Sequence, residues 1–209
     1  MKGNQWVVVG HSVGGMMGMM LGMEKGPQKQ GQRGGGKELQ REKDREGEEK
    51  DAKSEKEGDI LQNLKAVISL CGIYDFPLLL HNAPSVQKAE YEAFISGAFD
   101  CRSSRAHAHD CSASEGANNA PSLLHSDRPL RKNVQIVVVA HSKEDELVEW
   151  EQGKRMVESL RVRQQSRKIL GGEVKVKAVE IQGGHEDVLE TGRVGEAVRD
   201  VLEELERTG

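Results

Sequence analysis

Gly10-His11-Ser12-Val13-Gly14 follows directly on the apolar run Trp6-Val7-Val8-Val9, and no other junction in the chain restricts the fold as much. A G-x-S-x-G pentapeptide arises by chance about once in fifteen chains of this length, so its weight comes from its surroundings. A strand-like run precedes it, and Gly15, Met16, Met17, Gly18, Met19, Met20 and Leu21 behind it can open a helix. Strand, serine and helix make the sharp elbow that lifts a nucleophilic hydroxyl above a sheet. Such a turn holds its serine in a strained conformation, and the flanking glycines let strand and helix approach without a Cβ clash. Ser12 is therefore a candidate nucleophile for acyl transfer, with a turn serine or helix N-cap as the plainer alternative.

The rest of the chain alternates between strand and helix patterns. Ala66–Leu70 and Val134–Ala140 are short, β-branched and apolar on both faces, as buried strands of a parallel sheet are. Val174–Ile181 alternates, which suits a strand near a sheet edge. Leu147–Val162 and Val194–Leu205 carry apolar residues at helical spacing. The order β-α-β-β-α-β-α predicts an α/β fold with a mostly parallel sheet and flanking helices.

A serine hydroxyl needs a histidine to accept its proton and a carboxylate to fix that histidine's tautomer. Two later strand ends offer them. His141-Ser142-Lys143-Glu144-Asp145-Glu146-Leu147-Val148 follows one, and Gln182-Gly183-Gly184-His185-Glu186-Asp187 follows the other. Serine, acid and histidine thus stand in that order at three strand ends, the edge where open α/β sheets build their sites. Read alone, Asp145 is better placed to cap the helix near Leu147, and Glu144 and Glu146 are rival acids. Gly183-Gly184 leaves room for the His185 ring to approach a serine. His11 suits packing behind the site, and the methionines from Met16 to Met23 suit adaptable helix packing.

Composition limits the size of this unit. Of 209 residues, 36% are hydrophobic, 3% aromatic and 31% charged, so a large share of the chain is predicted to lie outside any core. Residues 24–59 form a charged, glycine-bearing run with almost no apolar side chains, expected to be a disordered insertion. Residues 101–119 are predicted to form a second long loop. The net charge of −4 gives no reason to propose a nucleic-acid partner. No apolar run approaches the roughly eighteen residues of a membrane span, and the N-terminus lacks the pattern of a signal peptide. Cys71, Cys101 and Cys111 are odd in number and lack metal-ligand spacing, which fits reduced thiols in a cytoplasmic protein.

Four segments together resemble the fungal kynurenine formamidases: Gly10–Gly15, Cys71-Gly72-Ile73-Tyr74-Asp75, Tyr91–Phe99, and above all Ala140–Gln152 with its Asp-Glu-Leu-Val-x-Trp-Glu-Gln block. That family has the α/β-hydrolase fold and converts N-formyl-L-kynurenine to L-kynurenine and formate in tryptophan catabolism toward NAD. The resemblance implies a triad of Ser12, Asp145 and His185, favours Asp145 over its neighbours, and makes the Val13 N–H an oxyanion-hole donor. It also implies a small-molecule substrate and no metal or organic cofactor. The family's His-Gly-Gly-x-Trp motif, which precedes the serine, has no counterpart here. In the family's strand order 1-2-4-3-5-6-7-8, this chain corresponds to the contiguous half 5-6-7-8, a single partial domain over residues 1–209. Its first strand would then expose an apolar edge, a template for pairing with another chain, a homodimer included. A general carboxylesterase of the same fold and an inactive truncated chain are the alternative readings.

Overall fold

Four β-branched, apolar runs form the strands β1 (Trp6–His11), β2 (Leu64–Leu70), β3 (Ile136–Ser142) and β4 (Lys175–Ile181). The computed structural model describes residues 5–24, 61–99, 122–126, 128–169 and 173–208. Apart from Glu24, the predicted insertion at 24–59 and the loop at 101–119 lie outside these residues. All neighbouring strands are parallel, in the order β1-β2-β3-β4. In register, Val8 stands beside Val67, Val67 beside Val137, and Val137 beside Val176.

The two central strands explain the architecture. Both are apolar on both faces, so each face needs a helical cover. Val67, Val137 and Val139 pack with Met16 and Met19 of α1 (Val13–Gly22) and with Met156 and Leu160 of α4 (Trp150–Ile169). Ala66, Ile68, Ile136, Val138 and Ala140 point the other way, onto Val201 and Leu205 of α5 (Gly192–Thr208). Burying a valine or isoleucine stabilises by about 1.5–3 kcal/mol relative to exposure, so β2 and β3 anchor the fold. The edges differ in kind. β4 alternates, its Lys175 and Lys177 both pairing with Glu204 of α5, whereas β1 leaves Trp6 50% and Val9 44% exposed.

Two details depart from the sequence reading. The pattern from Leu147 does not start a helix there: α4 begins at Trp150, because the Asp145 carboxylate accepts the N–H groups of Leu147 and Val148 and bends them into a turn. Val162, counted within that helix's span, is 64% exposed. Between β2 and β3 lie α2 (Phe76–Asn82), which was not expected, and α3 (Ser85–Phe99), which contains the helix-like run Tyr91–Phe99 and starts six residues before it. Parallel neighbours cannot be joined by a tight turn and need a crossover. Asp75 starts it by accepting the Leu78 N–H at 2.7 Å, with Pro77 in the first turn. At seven residues, α2 is too short to show helical periodicity. Among the described residues, no helix is long and apolar enough to cross a membrane.

Candidate active site

Ser12 sits between the end of β1 and the start of α1 with φ 56° and ψ −125°. This backbone region is costly for a residue bearing a Cβ, about 1–3 kcal/mol. The turn is held by Ser12 N–H donating to Leu70 O at 3.0 Å and by Ile73 N–H donating to Ser12 O at 3.3 Å. The glycines of the motif do not share the work as expected. A Cβ on Gly10 would overlap the Gly14 carbonyl, 2.5 Å from its carbon, and one on Gly15 would press into Ser69 Oγ and stand 3.0 Å from Gly72 Cα. A Cβ on Gly14 would meet nothing within 4 Å. The close approach therefore depends on Gly10 and Gly15, because Gly14 faces open space on the outside of the turn.

Asp145 and His185 meet at the same edge of the sheet. His185 Nδ1 lies 2.8 Å from Asp145 Oδ2 and 3.0 Å from Oδ1. The two side chains are 4% and 0% exposed. Both roles weighed for Asp145 coexist in the geometry: Oδ1 also accepts from Leu147 N at 3.0 Å and Val148 N at 2.8 Å. Burial alone would raise its pKa, but the His185 ring and these donors outweigh that and hold the carboxyl below its ordinary value. For His185, burial pulls the pKa down while the bond to Asp145 and its charge raise it further, for a net increase.

Sequence reasoning did not single out the groups behind the acid. Cys71, at the end of β2, has φ 44° and is buried, and its thiol pKa is pushed up to about 12, chiefly by burial and against the nearby Asp145 carboxylate. The only sequence signal was a cysteine at a strand end facing the acid's strand. His141 Nε2 donates to Val148 O at 2.8 Å and lies 3.8 Å from Asp145 Oδ2. Burial lowers the His141 pKa, against the Val148 carbonyl and the Asp145 charge. Cys71, His141 and Asp145 bring ligand atoms within 4.8 Å of one another. Asp145 is already bonded to His185 and two amides and His141 Nε2 to a carbonyl, while the buried His141 Nδ1 has no hydrogen-bond partner among the described residues.

The His185 loop corrects one reading, that of its glycines. Glu144 and Glu146, the rival acids, do not reach the imidazole; they accept backbone N–H groups, Glu144 from Gly183 at 2.9 Å and Glu146 from His185 at 3.0 Å. Gly183-Gly184 does not clear space between imidazole and serine. Gly183 supplies φ 105°, and a Cβ on Gly184 would stand 2.8 Å from Glu146 Oε2. His11, placed behind the site by the sequence reading, donates from Nε2 to His185 O at 2.9 Å, its ring centroid 4.5 Å from that of His185.

Ser12 and His185 line one cavity of about 200 Å³, walled by apolar side chains including Ile73, Phe76, Leu79 and Leu147. Val13, the first residue of α1, lines it as well. A first-turn N–H has no partner in its own helix. No hydrogen bond joins Ser12 Oγ to His185 among the described residues, and contacts of this kind commonly tighten only when substrate binds.

Compared with known proteins, the chain matches no protein-family model and no curated protein. Among solved structures it is similar to mouse alpha/beta hydrolase domain-containing protein 10, with 17% identity and a TM-score of 0.42 over 97% of this chain and 63% of that one. It is also similar to a puromycin-hydrolyzing peptidase of Mycobacterium tuberculosis, with 14% identity and a TM-score of 0.37 over 59% of this chain and 15% of that one. The chain thus spans less than two thirds of either structure.

Proposed function

We propose that this chain carries the acyl-transfer site of a serine hydrolase with an α/β-hydrolase-like sheet, and that N-formyl-L-kynurenine is its substrate. The observation carrying the reading is the bonded Asp145–His185 pair opening onto the same cavity as a serine at φ 56°. Ser12 Oγ attacks the formyl carbonyl while its proton passes to His185 Nε2. Asp145 keeps the proton on Nδ1 and stabilises the imidazolium. The oxyanion takes a hydrogen bond from the Val13 N–H. His185 then protonates the departing aryl amine as the C–N bond breaks, releasing L-kynurenine. Water, deprotonated by the same ring, cleaves the formyl ester to formate and restores Ser12. No step calls on a metal or organic cofactor, and the substrate assignment rests on the resemblance in the Asp145–Gln152 block.

A second reading, a carboxylesterase for short uncharged acyl esters, is favoured by the cavity's apolar walls. A zwitterionic amino acid placed there would lose hydration to walls whose described residues, His185 apart, include no Asp, Glu, Lys or Arg. The test is hydrolysis of N-formyl-L-kynurenine against short acyl esters, with labelling of Ser12 by a fluorophosphonate. Formamide turnover that disappears in Ser12→Ala supports the first reading, and faster ester turnover supports the second. Folded protein that neither turns over nor labels would overturn both in favour of an inert chain.

A further inference from the structure

His185 is gripped at every polar group except one. Its N–H donates to Glu146 Oε2 at 3.0 Å, its carbonyl accepts from His11 Nε2 at 2.9 Å, and its Nδ1 meets Asp145. The one remaining group, Nε2, has no hydrogen-bond partner among the described residues, and the ring lines the Ser12 cavity. The three holding side chains come from two strand ends. His11 ends β1, while Asp145 and Glu146 follow β3. His185 itself follows β4, so its position is transmitted across the whole sheet.

We propose that Glu146 and His11 are positioning residues that fix the backbone of His185 so that its ring keeps Nδ1 on Asp145 and Nε2 toward Ser12. Two independent observations tie Glu146 to this role rather than to surface charge. Its carboxylate bonds the very N–H of the histidine, and Gly184 is kept free of a Cβ where that carboxylate passes. The acceptor atom is what matters. A glutamine at position 146 still offers a carbonyl oxygen to the His185 N–H, whereas alanine offers nothing. The same logic at position 11 requires a donor toward the His185 carbonyl.

The proposal rests on His185 being the base of the hydrolase site, but its test has a readout that does not need turnover. The proton shared between His185 Nδ1 and Asp145 is expected to give a low-field NMR resonance in the folded chain. Glu146→Ala is expected to broaden or abolish that signal, and Glu146→Gln to retain it. Where Ser12 labels with a fluorophosphonate, Glu146→Ala should slow labelling about tenfold, since small misplacements of a base are costly, with Glu146→Gln restoring the rate. Wild-type protein that shows the resonance yet never labels would sink the hydrolase reading alone. Glu146→Ala with an unaltered resonance, or alanine and glutamine variants that lose it equally, would overturn the positioning role.

Discussion

Three single glycine-to-alanine changes at the elbow test whether the strand–helix contact has been located correctly. Gly14 is the terminal glycine of the pentapeptide, yet it lies within α1, has no positive φ, and has nothing within 4 Å of an added Cβ. Alanine at such a compatible site stabilises by about 0.4–1 kcal/mol by restricting the unfolded chain. Gly15, outside the pentapeptide, faces Ser69 Oγ and Gly72 Cα. That hydroxyl cannot swing away freely, because Tyr74 OH donates to it at 2.6 Å in a fully buried pair. Overpacking of this kind costs about 1–3 kcal/mol, and Gly10→Ala, which meets backbone, belongs at the upper end. The Gly14 and Gly15 variants should therefore differ by roughly 1.4–4 kcal/mol. With a urea m-value of about 2 kcal/mol/M, this becomes a gap of about 0.7–2 M between unfolding midpoints. A Gly14→Ala midpoint as low as that of Gly15→Ala would refute the packing argument and return the contact to the motif's own glycine.

The raised His185 pKa predicts an NMR titration midpoint above the ordinary imidazole value of about 6.5, moving downward in Asp145→Asn; a midpoint unmoved by that change would remove Asp145 as the cause. In stability the sign follows from protonation: the pair's contribution through His185 is complete below the unfolded pKa and is lost as pH rises through the folded one. Gln152 is fully buried, accepting from Tyr74 N at 3.0 Å and Asp75 N at 2.9 Å and donating to Asp75 O at 2.8 Å, with a longer bond to Glu149 Oε1 at 3.5 Å. Gln152→Leu strands these groups at about 1–3 kcal/mol each, so urea unfolding should show a loss of at least about 3 kcal/mol; an unchanged midpoint would show that the segment relaxes onto other partners.

Local patterning was enough to read the strands and the order of serine, acid and histidine along the chain. Runs such as Ala66–Leu70 and Val134–Ala140 are apolar on both faces, as the covered strands of a parallel sheet are, and the order of Ser12, Asp145 and His185 needs no coordinates to see. The resemblance chose among Glu144, Asp145 and Glu146, where spacing could not. Side-chain partners across the sheet were beyond that reach, because contacts between residues 174, 40 or 39 positions apart leave no periodic trace. Only the folded arrangement decided that Gly15 rather than Gly14 bears the close approach, that Gly184 makes way for Glu146, and that Cys71 and His141 stand behind the acid. Each depends on which atom fills a given volume once four strands lie side by side, and that is settled by packing.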